Sequence, residues 1–267
     1  MPTLCLSCIV FTLQDKAVQE NKYINMFIIW LTSLIKSGGL REDDMVYVYI
    51  DKRTIEYIEA NTIFPSLQNF CRFQCELIIL PSPKTILEGM MMRYTIYPYK
   101  QDVFMYCDID VFIVKSLHNL IDQMVENHIY LSPEGFLKDD IYSADLPSNY
   151  TIDPSAVGIS SGKFAIYGKE HRDSLFKLIN SICKYDSTYY TADQPFFNHV
   201  ILLKLPSTLS RCLDYKIFDS PAVSFNTQEY DADKTVLIDC AGATGNGQIH
   251  YDKMLSILCL FYCGDLN

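Results

Sequence analysis

The chain has 267 residues and a formal net charge of −10 at pH 7. Hydrophobic residues make up 49% and charged residues 20%, which is the composition of a folded globular protein and not of a disordered or fibrous one. The acidic balance, without any run of Lys or Arg, excludes nucleic acid and anionic membrane surfaces as expected partners. Because no linker, repeat or low-complexity tract divides the chain, residues 1–267 are expected to form a single domain.

The ten cysteines lie mostly in apolar segments, where reduced thiols behave as small hydrophobic side chains. Cys5 and Cys8 have the gap of half a zinc site, and we interpret them instead as residues of a buried strand. Residues 1–13 are apolar but lack a basic start and are too short to span a bilayer, as is the apolar stretch at 26–35. We therefore expect a cytoplasmic protein without a membrane span.

Strands and helices are predicted in alternation over the first half of the chain. The apolar run at residues 3–12 predicts a strand, and apolar residues at helical spacing over 23–36 predict a helix that ends at Ser37-Gly38-Gly39. The next predicted elements are strand 45–50, helix 53–60, strand 76–80, helix 84–94, a strand within 102–114, helix 118–126 and strand 128–132. This alternation predicts an α/β fold with a mixed, mainly parallel sheet flanked by helices.

The alternation stops after Pro133. Residues 133–156 are rich in Pro, Asp, Ser and Tyr and lack periodicity, which is typical of a functional loop, so we expect them to form one side of a cleft. The remaining predicted elements are strand 157–167, helix 170–183, helix 193–203, strand 235–239 and helix 251–262.

Two acidic residues, Asp108 and Asp110, interrupt an otherwise apolar run. Alternate side chains of an extended strand point the same way, so the two acids are expected to share a face. Two desolvated carboxylates repel each other unless a cation or a shared proton lies between them. Oxygen ligands at the carboxyl edge of an α/β sheet suit Mg²⁺ or Mn²⁺, which also bind diphosphates. A strand end that turns into solvent is the alternative, and the apolar residues on both sides favour the metal site.

Residues 104–114 resemble the Asp-x-Asp strand of nucleotide-sugar glycosyltransferases with the GT-A fold, in particular family eight, the glycogenin and lipopolysaccharide galactosyltransferase group. Three further segments resemble motifs of that family in the same order: Arg93-Tyr94 in the preceding helix, Ser160-Ser161-Gly162 at a turn and strand, and Asp193-Gln194-Pro195-Phe196-Phe197-Asn198 at a helix start. The resemblance extends over residues 3–253, nearly the whole chain.

The resemblance implies transfer of a sugar from a nucleotide-diphosphate donor, with UDP favoured, to a carbohydrate or another hydroxyl acceptor. It implies Asp108 and Asp110 as metal ligands and retention of the anomeric configuration. The residues implied at the donor are Thr12, Arg93, Asp108, Ser161 and Gly162, with Asp193 or Gln194 near the reacting face. An inverting enzyme would instead need a carboxylate base, for which Asp153 or Asp193 is available.

Each of these motif residues also has a purely structural interpretation. Arg93 follows three Met residues and could extend along its helix to the surface. Gly162 could be an ordinary turn glycine. Asp193 precedes Gln194 and Pro195 and could serve only as a helix cap.

The last part of the chain departs from the family pattern. Where the family has a metal-binding His after its final strand, this chain has Asp239, which we expect to replace it, with His250 as the rival third ligand. The loop at 242–247 contains Gly245, precedes a helix, and is expected to bind phosphate through its backbone amides. Lys253 corresponds to the family Lys that contacts the diphosphate, and a solvated helix Lys is the alternative.

A catalytically inactive nucleotide-sugar or glycan-binding module of the same fold is the alternative function. The Asp239 replacement is the feature that favours it. A nucleotidyltransferase is disfavoured, because residues 14–17 lack the Gly-rich basic loop that such enzymes carry after the first strand.

Overall fold

The computed structural model describes residues 1–183, 193–219, 221–225, 230–241 and 247–263. The strands within these ranges are β1 (Leu4–Val10), β2 (Met45–Asp51), β3 (Gln74–Leu80), β4 (Val103–Cys107), β5 (Val111–Ile113), β6 (His128–Phe136), β7 (Val157–Tyr167), β8 (Leu213–Asp214), β9 (Ala222–Ser224) and β10 (Leu237–Asp239). The α-helices are α1 (Lys22–Ser37), α2 (Lys52–Asn61), α3 (Phe64–Gln68), α4 (Ile86–Met91), α5 (His118–Ile121), α6 (Asp140–Ser143), α7 (Lys169–Ile182), α8 (Gln194–Leu203), α9 (Ser207–Ser210) and α10 (Gly247–Cys263).

A seven-stranded sheet in the order β3-β2-β1-β4-β7-β6-β8 forms the centre of the fold. Strands β3, β2, β1 and β4 run parallel, whereas β7 is antiparallel to both β4 and β6. A smaller sheet contains β5, β10 and β9. The predicted α/β fold with a mixed, mainly parallel sheet is confirmed.

Helices cover both faces of the main sheet, because its central strands are apolar on both sides. In β1, Leu4 and Leu6 belong to one core, whereas Cys5 and Ile9 belong to the other. Helices α1 and α10 complete the first core, and α7 and α8 complete the second. Burial of both faces explains why the sequence of β1 is a continuous apolar run and not an alternating one.

The strand predicted within residues 102–114 is divided between the two sheets. Strand β4 ends at Cys107, the Asp108 carbonyl oxygen accepts a hydrogen bond from Val111 N at 3.2 Å, and β5 then pairs with β10. The expectation that Asp108 and Asp110 lie in one extended strand is therefore wrong, since both lie in the connecting turn. Each flanking strand is buried in its own sheet, so the apolar pattern conceals the break.

Other segments also differ from the predicted elements, and α3, α9, β8 and β9 were not predicted. Residues 133–156 are partly regular, because β6 continues to Phe136 and α6 follows it. Gly135, with φ of +56°, accommodates the irregular pairing of β6 with β7 at this point. The helix predicted at 118–126 ends as α5 at Ile121. Within the described ranges, no helix is long and apolar enough to cross a membrane.

Candidate functional site

Arg93 lies in the 3-10 turn Met92–Tyr94 that continues α4, and only 1% of its surface is exposed. Its guanidinium donates hydrogen bonds to the Ser161 carbonyl oxygen at 2.6 Å and to the Met90 carbonyl oxygen at 3.2 Å. The same group lies 4.6 Å from the centre of the Tyr106 ring, a cation–π contact. Arg93 does not extend to the surface, so that structural interpretation is wrong.

Two carboxylates face the Arg93 guanidinium from separate segments of the chain. Arg93 Nη2 lies 3.4 Å from Asp108 Oδ1, and Arg93 Nε lies 3.4 Å from Asp193 Oδ2. The Tyr94 hydroxyl also donates to Asp193 Oδ2, at 3.1 Å. Asp193 precedes α8, but its side chain makes no capping hydrogen bond. The carboxylate therefore pairs with Arg93 and Tyr94 and does not cap the helix.

Burial and charge shift the pKa values at this point in opposite directions. Burial opposes the charged form of Arg93, but Asp108 and Asp193 outweigh burial and raise the pKa of the guanidinium above its usual range. Burial raises the pKa of the Asp108 carboxyl to about 7, an effect that Arg93 opposes and the Asp110 carboxylate increases. The Tyr106 hydroxyl donates to Asp108 Oδ1 as well. A carboxyl group whose pKa is raised by burial and by a neighbouring carboxylate would be stabilised in its charged form by an added cation.

The Ser160-Ser161-Gly162 segment lies within β7, where this strand passes Asp108. The Gly162 carbonyl oxygen accepts a hydrogen bond from Asp108 N at 2.8 Å, and a Cβ on Gly162 would lie 2.5 Å from Asp108 Oδ2. A side chain at this position would displace the Asp108 carboxylate, so the glycine serves close approach within a strand and not a turn. On the side of α8, Ser161 N donates to Gln194 Oε1 at 3.4 Å.

The structure thus brings together candidate residues from four distant segments, which we call the Arg93 cluster: Arg93, Asp108, Ser161 and Asp193. The motifs alone do not reveal Tyr106, which contacts two members of the cluster. Tyr106 lies in β4, two residues before Asp108, and this closeness in sequence is the signal that could have indicated it.

Asp110 belongs to a second group of polar side chains, beside α10. Its Oδ2 lies 3.3 Å from His250 Nδ1. Asp239, at the end of β10, instead contacts the Lys163 ammonium through Oδ2 and accepts a hydrogen bond from Ala241 N at 2.8 Å through Oδ1. Of the two rival third ligands, His250 contacts an Asp-x-Asp carboxylate, whereas Asp239 is paired with a protein cation.

Lys163 is a further candidate that the motifs do not reveal. It is 4% exposed, and its Nζ lies 3.7 Å from Glu134 Oε2 in addition to its contact with Asp239. Burial disfavours the ammonium form, but Asp239 and Glu134 outweigh burial and raise the pKa of Lys163 above its ordinary range. Lys163 directly precedes the apolar run Phe164-Ala165-Ile166, and a charge at that place is the signal in the sequence that could have indicated it.

The side chains around the Asp108–Asp110 turn are of the types that bind Mg²⁺ or Mn²⁺. Carboxylate oxygens suit both ions, and the imidazole of His250 adds a nitrogen that Mn²⁺ accepts. Within the part of the chain that the structure describes, no three such side chains form a preassembled metal cage. Mg²⁺ is commonly held by one or two carboxylates with water and nucleotide phosphates completing its shell, so two aspartates are sufficient for such a site.

The remaining candidates are Thr12, Lys253 and Gly245. The Thr12 backbone N–H donates to the buried Asp51 carboxylate at 2.9 Å, just after β1. Lys253, in α10, donates to the Ala241 carbonyl oxygen at 2.9 Å and so points toward the end of β10 rather than into open solvent. Gly245 lies outside the described residues.

No protein-family model and no curated protein sequence matches the chain. Solved structures resemble it in fold. Mouse xyloside xylosyltransferase 1, in its apo form, matches with a TM-score of 0.51 and 12% identity over 85% of this chain and 88% of that one. A glycosyltransferase involved in the glycosylation of the major capsid of PBCV-1 matches with a TM-score of 0.51 and 9% identity over 95% and 100% of the two chains.

A 4-diphosphocytidyl-2C-methyl-D-erythritol synthase from Anaerococcus prevotii matches with a TM-score of 0.43 and 11% identity over 73% of this chain and 82% of that one, too distant to bear on the fold. At the identities of the two transferases, the likeness concerns the fold alone. The chain has the GT-A fold that the sequence predicts, and it shares this fold with the two structures.

Proposed function

We propose that the chain is a glycosyltransferase that moves a sugar from a nucleotide-diphosphate donor, UDP by preference, to a hydroxyl group of a glycan or another acceptor. We further propose that residues 1–267 form one domain. The observation that carries the proposal is the Arg93 cluster, in which one buried guanidinium joins Asp108, Ser161 and Asp193. Asp108 directly follows the carboxyl end of β4, and open α/β sheets bind ligands at that edge.

The order of the four motif segments supports a family-eight type of enzyme, which retains the anomeric configuration. In this proposal, Ser161 and Gly162 contact the donor sugar. Gln194, whose side chain accepts a hydrogen bond from Ser161 N, lies with Asp193 near the reacting face. Thr12, at the end of β1, lies near the base and ribose.

Sugar transfer breaks the bond between the sugar C1 and a diphosphate oxygen, and the diphosphate keeps both electrons. C1 forms a new bond to the acceptor oxygen, whose proton passes to the released diphosphate or to solvent. Preorganised positive charge near that oxygen lowers the barrier. Each guanidinium nitrogen of Arg93 already contacts a protein group, so we propose that Arg93 acts by fixing Asp108 and Asp193. Lys253 and the amides around Gly245 are the proposed contacts of the diphosphate itself.

Asp108 and Asp110 are the proposed ligands of a divalent ion, Mn²⁺ or Mg²⁺. Such an ion, when bound, neutralises charge that develops on the departing diphosphate. His250 is the proposed third protein ligand, because its ring contacts Asp110 while Asp239 contacts Lys163. The position of Asp239 at the end of the last strand favours it over His250 in the sequence, and the contacts reverse that preference.

A thermal-shift screen of nucleotide-sugars tests the proposal. A donor that binds only the native state raises the unfolding midpoint by mass action. UDP-sugars should give the largest shift in the presence of Mn²⁺ and a smaller one in excess chelator. The absence of a shift with every UDP- and GDP-sugar at millimolar concentration would contradict the proposed donor class.

A non-catalytic nucleotide-sugar-binding module of the same fold is the second candidate. One observation favours it. Asp239 stands at the position of the family's metal-binding His, and its carboxylate is paired with the Lys163 ammonium. Donor cleavage without acceptor separates the two candidates. A transferase slowly releases UDP from its donor, whereas a binding module gives the thermal shift and no UDP.

A further inference from the structure

Lys163 and Asp239 form an ion pair beside the turn that carries Asp108 and Asp110. Lys163 lies opposite Cys107, the last residue of β4, and Asp239 lies opposite Val111, the first residue of β5. The two strands that flank the turn are therefore the same strands that position this ion pair.

Both members of the pair are engaged by protein groups. Asp239 is 8% exposed, with Oδ2 on the Lys163 ammonium and Oδ1 on Ala241 N. Lys163 is 4% exposed and has Glu134 as its second carboxylate. A buried charge without a partner costs free energy. Breaking the pair would leave one such charge, so the pair is stable.

The ammonium also adds a positive charge near the proposed ion site, because its partner Asp239 is followed by Cys240, whose N–H donates to the Asp110 carbonyl oxygen at 2.9 Å. A fixed cation so placed repels a divalent ion, and a carboxylate bound to that cation is not available for coordination. Both effects weaken the hold of the protein on the ion.

We propose that Lys163 is a positioning residue that keeps Asp239 out of the coordination shell of the ion bound by Asp108 and Asp110. The site then holds its ion weakly until phosphate oxygens of the donor complete the shell, which couples ion binding to donor binding. The inference rests on the ion site of the proposed function and not on sugar transfer itself.

The test is an Mn²⁺ titration of donor-free protein, with free Mn²⁺ measured by its electron paramagnetic resonance signal. Lys163→Met releases Asp239 and removes the repelling charge, so Mn²⁺ should bind about tenfold more tightly than to the wild type, within the range of effects of groups outside the metal shell. Lys163→Arg keeps the charge and is the matched control, with an expected Kd within about threefold of the wild type. A Kd for Lys163→Met that is unchanged or weaker would overturn the proposal.

A second variant keeps the test decisive if Lys163→Met does not fold with Asp239 unpaired. Lys163→Met combined with Asp239→Asn removes both charges and leaves the net charge of the site unchanged. Its Mn²⁺ affinity should lie within about threefold of the wild type, because Asp239 is not a ligand, whereas a larger loss would identify Asp239 as one. A wild-type protein that binds Mn²⁺ but cleaves no donor would contradict the proposed function and leave this inference standing.

Discussion

Arg93 and Arg172 are both buried to 1% exposure on the same side of the main sheet, but their surroundings differ. The Arg172 guanidinium lies 4.5 Å from the centre of the Tyr99 ring and 5.6 Å from that of the Phe104 ring. Its carboxylate partner is Asp173, its neighbour in α7. The Arg172 side chain thus packs between α7 and the sheet, and its guanidinium makes cation–π contacts there.

Arg93 instead joins carboxylates from segments that are far apart in sequence. Asp108 follows β4 and Asp193 precedes α8, and both lie within 3.4 Å of the Arg93 guanidinium. Burial of an arginine does not by itself identify a functional site. The convergence of acidic groups from unrelated segments at the carboxyl edge of a sheet does distinguish the two arginines.

Among the substitutions that compare the two arginines, replacement of Arg93 should have the larger effect on turnover. In Arg93→Lys the positive charge remains, but one ammonium cannot contact Ser161, Asp108 and Asp193 together. We expect kcat to fall about 100-fold, because Arg93 positions Asp108 and Asp193 and a small misplacement of positioned groups can slow the reaction by that much. Steady-state UDP release and thermal unfolding measure the two effects separately. A kcat within about twofold of wild type, at a retained unfolding midpoint, would place Arg93 in the same structural class as Arg172.

Asp193→Asn tests whether the carboxylate acts through Arg93 or through the helix. Asn is as good a helix cap as Asp, so a capping role predicts normal activity. If the carboxylate acts through its ion pair with Arg93, loss of its charge should lower kcat by about 100-fold. UDP-release kinetics decide between the two, and a wild-type kcat would show that the charge of Asp193 has no role in turnover.

Gly162→Ala should have a smaller effect within the same site. The added Cβ would meet Asp108 Oδ2 at 2.5 Å, so the carboxylate must shift. We expect kcat to fall about tenfold, because small displacements of a positioned group slow the reaction. Unchanged kinetics in a folded variant would show that the close approach of β7 to Asp108 has no role in turnover.

Arg172→Ala should have the smallest effect on turnover and a large effect on stability. Loss of the guanidinium leaves a cavity among aromatic rings, and the free energy of unfolding should fall by about 2–5 kcal/mol. The kcat of the folded protein should stay within about twofold of wild type. Denaturant unfolding and kinetics below the unfolding transition measure both values. A loss of kcat like that of Arg93→Lys would remove the distinction between the two arginines.

Local patterns in the sequence were sufficient to predict most of the fold. Apolar runs and helical spacing predict β1, α1 and β7 to within a few residues, since these elements bury regular faces. The turn at Asp108–Asp110 could not be predicted, because both flanking strands are apolar and only their pairing in different sheets separates them. A hydrophobic pattern indicates that a strand is buried, but it does not indicate which strand it pairs with.

The candidate site was predictable as a set of residues but not as a set of contacts. Arg93, Asp108 and Asp193 stand out by charge within motifs, and the structure brings them together. The contact between Lys163 and Asp239 joins residues 76 positions apart, and nothing local to either residue indicates its partner. For that reason, the preference between Asp239 and His250 depends on tertiary structure.

The most direct test of the proposed activity is UDP release from UDP-sugars by the wild type and by Asp110→Ala, each with Mn²⁺ and with excess chelator. The wild type with Mn²⁺ should release UDP. Chelator or Asp110→Ala should abolish that release and the metal-dependent part of donor binding, while the circular dichroism spectrum of the variant stays unchanged. Release by Asp110→Ala at the wild-type rate, or identical donor affinity in chelator, would contradict a metal-dependent transferase.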